Sequence, residues 1–398
     1  MKDAKRFAAY NNRTLVLLFI ISFAMSIGMN AISPVWPLYI MSLGATVLEA
    51  SYVISLSGMA GVFLTTPSGL VSDKIGRRMI ILASITLAIV SPLFYILARD
   101  WRELILWATI YGLAFAIFMP TRNAWIADLV EPEDRAAAYS FLNMAFPLGN
   151  VVGPLLGGMI VDRFGWRDLF LLAAITSAFS LPLALGIRKK EDRVVTQERL
   201  SVKTSLRREQ VRTLLFLLLL QFLLGFGFGL VSPMIPIYLT ERFGSTATEI
   251  GVFTMIGFGV TAFLAQIPNV RLADRLGRGK LILYSCAIIP LTFFLWSSRT
   301  EYFELLVLYM VATAAWCMTW PCTASILMDA TPSSRRGLFS GLSLTGVTLG
   351  FTIGPAVAGT LWEDLGHQAP FYVSSFIFAV SVPTALLLER SRRSLKFR

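Results

Sequence analysis

Long apolar runs are the feature that most constrains how this chain can fold. Twelve of them follow one another, separated by short polar segments that carry most of the charge. About 20 helical residues cross a hydrocarbon core of roughly 30 Å, so each run predicts one membrane-spanning helix. The predicted spans, numbered one to twelve, are 14–40, 47–70, 79–98, 103–128, 137–160, 168–187, 213–239, 247–270, 280–297, 303–328, 337–360 and 370–388.

The composition agrees with an all-α polytopic membrane protein embedded in a lipid bilayer. Of the 398 residues 56 % are hydrophobic and 15 % are charged, whereas soluble domains average about 25 % charged. The net charge of +11 does not indicate a nucleic-acid partner, because the cations cluster between apolar runs and not along one helix face.

The placement of lysine and arginine predicts the orientation, because cytoplasmic loops are enriched in both. With both termini inside, the cytoplasmic segments hold 28 of the 35 cations and the outer loops hold six. Nine of the inner cations lie in the linker 188–212. We therefore expect both termini and this linker to be cytoplasmic.

The two halves of the chain repeat one another. Residues 32–39 match 231–238 at an offset of 199, and eight of the nine prolines in each half pair off at offsets from 198 to 201. Because proline interrupts helical hydrogen bonding, matched prolines predict matched bends. We predict two pseudo-symmetric six-helix bundles, 1–187 and 213–398, joined by the linker 188–212. Parallel repeats of this kind are typical of transporters.

Two motifs recur with this repeat. The first is a charged turn, 69–78, which reappears as 270–279. The second is a row of glycines in span five, spaced so that one helix face lacks side chains and a neighbouring backbone can approach. We expect close contacts between the halves at this row and at its counterpart in span eleven. The residues of this packing motif are Gly149, Gly153, Pro154, Gly157, Gly158, Gly350, Gly354 and Pro355.

Together with Gly28, Pro34, Val35 and Pro37 of the first span, these motifs resemble the major facilitator superfamily, in particular its twelve-helix drug:proton antiporters. The resemblance covers essentially the whole chain. A prokaryotic cytoplasmic membrane is the expected location. The resemblance implies a monomeric transporter of a small-molecule substrate, with protons as one candidate coupling ion. It also implies a cavity between the halves, lined by spans one, four, seven and ten, and no cofactor.

The resemblance further implies a conformational latch on the cytoplasmic side. Asp73 is expected to face the N-terminal end of span eleven, and Arg77 to pair with Asp128. A carboxylate near a helix N-terminus is favourable by about 0.3–1 kcal/mol. The expected latch residues are Gly69, Asp73, Gly76, Arg77, Arg78, Asp128, Asp274 and Arg278.

Aromatic and amide side chains of the implied cavity spans are the candidates for substrate contact. Tyr111, Phe115 and either Phe118 or Met119 are spaced to share one face of span four, and Trp316 and Trp320 do the same in span ten. The full set of candidates is Asn30, Tyr111, Phe115, Met119, Arg122, Gln221, Trp316 and Trp320.

Two departures from the family pattern bear on coupling. Span four lacks the arginine that the family often carries shortly before Gly112, and none of the 24 acidic residues is predicted near the middle of a span. Buried carboxylates are common proton carriers in membranes, so the residue that would couple transport to protons is unassigned.

The leading hypothesis is efflux of lipophilic or amphipathic compounds. An alternative is a carrier of organic anions or lipid-like substrates, with Arg122, the only cation away from the ends of a predicted span, as counter-charge. A membrane enzyme is disfavoured, because the single histidine, His367, cannot supply a catalytic set or a metal site. A sensor is disfavoured as well, because the polar segments are too short for a soluble domain.

Overall fold

The computed structural model describes residues 12–131, 134–187, 207–332 and 335–396. Side chains are described throughout these ranges except at 60, 64–74, 127, 136, 270, 336–337 and 393–396. All regular structure in the described residues is helical. The α-helices are Arg13–Ile32, Trp36–Ser42, Val47–Ile75, Arg77–Leu97, Trp101–Leu129, Arg135–Asn143, Ala145–Phe164, Trp166–Leu185, Arg208–Val231, Met234–Phe243, Ala247–Thr254, Thr261–Leu276, Arg278–Trp296, Tyr302–Ala330, Arg336–Leu365 and Ala369–Lys396, with a 3₁₀ turn at Ser33–Val35 and a π-helix at Met255–Val260.

These helices confirm the all-α polytopic membrane fold. Within the described residues, eleven helical segments are long and apolar enough to cross a membrane. A shorter apolar segment, Val47–Phe63, lies at the position of span two. The observed helices extend a few residues beyond several predicted bounds; span eleven, for example, continues to Leu365.

Spans one and seven each break at a Ser-Pro pair. In span one the 3₁₀ turn Ser33–Val35 separates two α-helices, and in span seven one α-helix ends at Val231 before the next begins at Met234. Proline cannot donate a backbone hydrogen bond, and its ring clashes with the carbonyl one turn earlier. The matched prolines thus produce matched breaks in the two halves.

Glycines with positive φ close the tightest connections between spans. Gly76 (φ 101°) ends span two and begins span three, and Gly277 (φ 84°) does the same between spans eight and nine. Gly165 and Gly366, at φ 90° and 93°, turn the chain after spans five and eleven. A residue with a Cβ is strained in this region, so the direct helix-to-helix turns depend on glycine.

The described chain divides into two compact units. Unit 1 comprises Met1–Thr46, Leu56–Val195 and Gly244–Met255, and unit 2 comprises the remaining segments: Val47–Ser55, Thr196–Phe243 and Ile256–Arg398. Each unit therefore includes the first turns of one span from the other sequence half. The predicted domain bounds 1–187 and 213–398 stay a prediction.

Each unit has its own apolar core. In unit 1, Leu18, Ile85 and Phe118 from spans one, three and four are fully buried in one cluster. In unit 2, Trp296 is stacked on Phe371 with ring centroids 5.2 Å apart. Some buried serines donate to their own helix, as Ser22 does to the Leu18 carbonyl at 2.7 Å. Others donate to a neighbouring helix, as Ser374 does to the Gly227 carbonyl at 2.9 Å.

Candidate functional site

The charged turn of unit 1 joins three helices. Arg77 Nε lies 3.2 Å from Asp128 Oδ2 at the end of span four. Arg78 Nη2 donates to the Leu185 carbonyl at the end of span six, at 2.6 Å. The side chain of Asp73 is outside the described side chains, so the part of Asp73 and Gly69 in the latch stays a prediction.

Unit 2 contains an equivalent ion pair, which the sequence reasoning missed. Arg278 Nη1 lies 2.9 Å from Asp329 Oδ2. Asp329 follows Asp128 by the repeat offset of 201, so the internal repeat was a signal that could have identified it. Asp274, the expected latch carboxylate, has an exposed side chain. Partly exposed ion pairs of this kind contribute about 0–1 kcal/mol each, which is weak enough to break and re-form.

Most glycines of the two rows pack within their own sequence half, so the expected contact between the halves is confined to Pro154 and Gly158 of span five. A Cβ built on Gly153 would lie 2.7 Å from the Asn30 Cβ, and one built on Gly157 would collide with the Ala31 backbone, both in span one. In unit 2 a Cβ on Gly354 would lie 2.5 Å from the Gly229 backbone in span seven. Spacing identifies a bare helix face but not its neighbour, so the contacts with spans one and seven could not be read from the sequence.

Pro154 and Gly158 are the exceptions in this motif, and a Cβ built on Gly251 of span eight would collide with the Pro154 carbonyl. A Cβ built on Gly158 would collide with the carbonyl of Ala247, at the start of span eight. Gly158 therefore faces a helix from the other sequence half, although both residues belong to unit 1.

Arg122 is fully buried in unit 1, and amide oxygens satisfy its guanidinium. Its Nη2 lies 2.8 Å from Asn143 Oδ1 and 2.9 Å from Asn123 Oδ1, and its Nε lies 3.2 Å from the same Asn123 oxygen. Nη1 is 3.5 Å from Ser22 Oγ. Among the described ion pairs none includes Arg122, so its partners there are neutral oxygens.

The other candidates of unit 1 lie on or near its core. Phe115 is buried in the apolar cluster, and Tyr111 and Met119 pack against that cluster. The hydroxyl of Tyr111 is buried without a hydrogen-bond partner among the described residues. Asn30 donates to the Ser26 carbonyl and hydroxyl at 2.9 and 3.0 Å, so its amide N–H group is used within span one.

Trp316 is the centre of an aromatic cluster in unit 2. Its ring centroid lies 4.9 Å from Phe228, 5.8 Å from Trp320 and about equally far, at 6.1 and 6.2 Å, from Phe351 and Phe258. Trp316 is buried and its indole N–H has no partner in the described part of the chain, whereas Trp320 is 43 % exposed. The cluster thus combines a buried, unpaired donor with a ring that reaches the surface.

Two further features of unit 2 complete the set of candidates. Gln221 donates to Ser343 Oγ at 3.3 Å, so this amide bridges spans seven and eleven. Phe258 belongs to the π-helix Met255–Val260 in the middle of span eight. Such π-helical turns occur often at functional sites, and the sequence carried no periodic signal for this one.

Comparison with known proteins places this geometry in a family. The model of the Major Facilitator Superfamily matches residues 18–220 and 217–398. Multidrug resistance protein 1 of Bacillus subtilis is 22 % identical over 375 residues, covering 93 % of this chain and 95 % of the relative. The quinolone resistance protein NorA of Staphylococcus aureus is 21 % identical over 391 residues, covering 97 % and 99 %.

Solved structures show the same fold. A D-xylose–proton symporter superposes with a TM-score of 0.77 at 15 % identity, covering 94 % of this chain and 96 % of the symporter. A bacterial homologue of the human lysosomal transporter Spinster gives 0.74 at 14 % identity, covering 95 % and 96 %. The chain therefore belongs to the Major Facilitator Superfamily and is an integral membrane transporter, not an enzyme.

Proposed function

We propose that this transporter exports lipophilic or amphipathic small molecules by alternating access. The named relatives are a multidrug resistance protein and a quinolone resistance protein, and they match nearly the whole chain. The structural neighbours carry a sugar in one case and are related to a lysosomal transporter in another. Because all of them share the fold at low identity, the substrate class has to be argued from side chains.

The aromatic cluster around Trp316 is the observation that carries the proposal. Ring faces hold flat apolar compounds by offset or edge contacts. The indole N–H of Trp316 has no partner among the described residues, so a compound with a hydrogen-bond acceptor would satisfy it. A sugar would need a set of polar groups, whereas Phe228 and Phe351 offer none and Trp320 offers a single indole N–H.

Reconstitution into liposomes tests this function. The panel contains lipophilic cations, neutral aromatic compounds and organic anions, each measured with and without an imposed pH gradient. We expect transport of the aromatic lipophilic compounds, and stimulation by the gradient would show coupling to protons. Failure to move any of these compounds, or movement of anions alone, would contradict the proposal.

Substitution at Trp316 sharpens the test. Trp316→Phe keeps an aromatic ring and removes the N–H group, so compounds with an acceptor should lose about 2- to 10-fold in apparent affinity. Trp101→Phe is the matched control. Trp101 lies at the start of span four, and the Arg102 Cζ is 4.7 Å from the centroid of its ring. If both variants changed the apparent affinity for these compounds equally, the Trp316 N–H would be excluded as a substrate contact.

Transport of organic anions with Arg122 as counter-charge is the second candidate. In its favour, the described partners of Arg122 include no carboxylate. Against it, Arg122 is fully buried, and Asn123 and Asn143 already accept its hydrogen bonds. The export of lipophilic compounds is therefore better supported. In the same liposome assay, an Arg122→Gln variant that lost transport of the organic anions alone would favour this second candidate over the first.

A further inference from the structure

The first turn of span eight is capped from a distant part of the chain. Asp162, near the end of span five, accepts the backbone N–H of Ala247 at 3.1 Å through Oδ1. Its Oδ2 accepts the N–H of Thr248 at 2.7 Å. All three residues belong to unit 1, but span five and span eight come from different halves of the sequence.

Local capping leaves these two N–H groups free for Asp162. Thr246 and Glu249 form a reciprocal capping box: Thr246 Oγ1 accepts from the Glu249 N–H at 3.3 Å, and the Glu249 carboxylate accepts from the Thr246 N–H at 3.0 Å. A helix N-terminus has four N–H groups without intrahelical partners. The box does not use those of Ala247 and Thr248, which are the two that Asp162 binds.

Unit 2 repeats this arrangement with a different acid. Glu363, which follows Asp162 by an offset of 201, accepts the N–H of Leu48 at 3.0 Å through Oε1. Leu48 lies in the first turn of span two, which begins with the same Thr-x-x-Glu pattern at 46–49. A second bond supports this contact, because Ser55 Oγ accepts the Ala356 N–H at 2.8 Å.

Glycines allow both carboxylates to reach the neighbouring helix. Gly158 lies one turn before Asp162, and a Cβ there would collide with the Ala247 carbonyl. Gly359 lies one turn before Glu363, and a Cβ there would lie 2.7 Å from the Ser51 side chain and 3.0 Å from the Leu48 Cα. The same pairing of glycine and acid, at spacing i, i+4, thus seats a carboxylate on a helix N-terminus in both units.

We propose that Asp162 and Glu363 are paired clasps that hold these helix ends together in one state of the transport cycle and release them in the other. The proposal rests on the alternating access proposed above. Each carboxylate and the N–H groups that it binds come from opposite sequence halves, so the contacts must open when the halves part at this end. By the predicted orientation this is the outer end, opposite the charged turns that contain Gly76 and Gly277.

The chemistry suits a contact that breaks in every cycle. A carboxylate on a helix N-terminus is stabilised by the N–H dipoles and by the aligned peptide dipoles behind them. Both acids are exposed, so water replaces the lost hydrogen bonds when a clasp opens. A buried pair would leave an uncompensated charge and would resist opening.

Spin-label distances test the clasps without a substrate. The three cysteines are replaced by serine, and labels are attached at Arg167→Cys and Arg242→Cys, two exposed positions at the predicted outer end. Distances are then measured by double electron–electron resonance in nanodiscs. Size-exclusion chromatography and circular dichroism confirm that each variant is folded.

Matched acids nearby serve as controls. Asp162→Ala and Glu363→Ala should each raise the population with the longer distance about fivefold, because each removes one helix cap. The double variant should raise it about 25-fold, because the two sites are independent. Asp162→Asn keeps one acceptor oxygen and should give a smaller change. Asp168→Ala and Asp364→Ala remove exposed acids at the same end of each unit and should leave the distances unchanged.

The outcomes separate this inference from the proposed export. If Asp162→Ala and Glu363→Ala give the same distance distribution as Asp168→Ala and Asp364→Ala, the clasps are excluded. If the protein moved no compound of the liposome panel, the export proposal would be contradicted. The spin-label distances would still show whether Asp162 and Glu363 hold the helix ends together.

Discussion

At the scale of single residues, Arg122 shows how a buried cation is accommodated here. Isolated arginines in the middle of a membrane helix cost about 2.5–3.5 kcal/mol on insertion scales. The oxygens of Asn123 and Asn143 bind the guanidinium, and Tyr139 in turn donates to the Asn123 carbonyl at 2.7 Å. The cation is thus held by neutral dipoles from span four and from the short helix Arg135–Asn143.

Asn143→Leu should destabilise the protein by about 1.5–3 kcal/mol, because it removes a hydrogen bond to a buried charge. The free energy of unfolding in mixed micelles is the measurement. Asn150→Leu, a substitution of the same type in span five, is the control and should stay within about 0.5 kcal/mol. Equal stability of the two variants would show that Asn143 contributes nothing to holding Arg122.

At the scale of helices, glycine positions decide how closely spans one and five approach. Gly153 allows the backbone of span five to lie against Asn30 and Ala31. Close packing of this type is the main source of helix association in lipid, where no hydrophobic driving force between helices exists.

Gly153→Ala should therefore destabilise the protein by about 1–3 kcal/mol through overpacking, and Gly153→Leu should abolish transport. Gly341→Ala is the matched control, because a Cβ on this helical glycine meets nothing within 4 Å. It should be neutral or more stable by about 0.4–1 kcal/mol. Thermal unfolding of the purified variants checks both. If Gly153→Ala were as stable as Gly341→Ala, the contact with span one would be looser than the structure has it.

The two ion pairs that join neighbouring helix ends also belong to this scale. Double-mutant cycles at Arg77 and Asp128, and at Arg278 and Asp329, should give coupling energies of about 0.2–1 kcal/mol that fall as salt is added. A coupling above about 3 kcal/mol would mean that the pairs are desolvated and act as structural locks.

At the scale of the whole molecule, the internal repeat places equivalent contacts in both units. The ion pairs of Asp128 and Asp329 and the helix caps of Asp162 and Glu363 are each related by an offset of 201. Each of these contacts joins the ends of two helices.

The orientation of the chain is a prediction at this scale. In a cysteine-free background, Gln368→Cys should react with a membrane-impermeant thiol reagent in whole cells, and Ser201→Cys should react only after the cells are opened. The reason is the excess of lysine and arginine in the segments assigned to the cytoplasm. Labelling of Ser201→Cys from outside would invert the topology.

The sequence by itself determined the helical class, the span positions and the internal repeat. These follow from local properties, because the bilayer thickness sets the length of each apolar run and proline bends its own helix. Gly76 illustrates this, since the turn it makes depends only on its own φ of 101°.

Only the tertiary structure decided which surfaces meet. The glycine row of span five was visible in the sequence, but its contact with span one was not, because spacing describes one face and not its neighbour. Asp162 and Glu363 looked like ordinary polar residues at span ends. Their partners lie 86 and 315 residues away along the chain, and such distant pairs depend on how the helices pack.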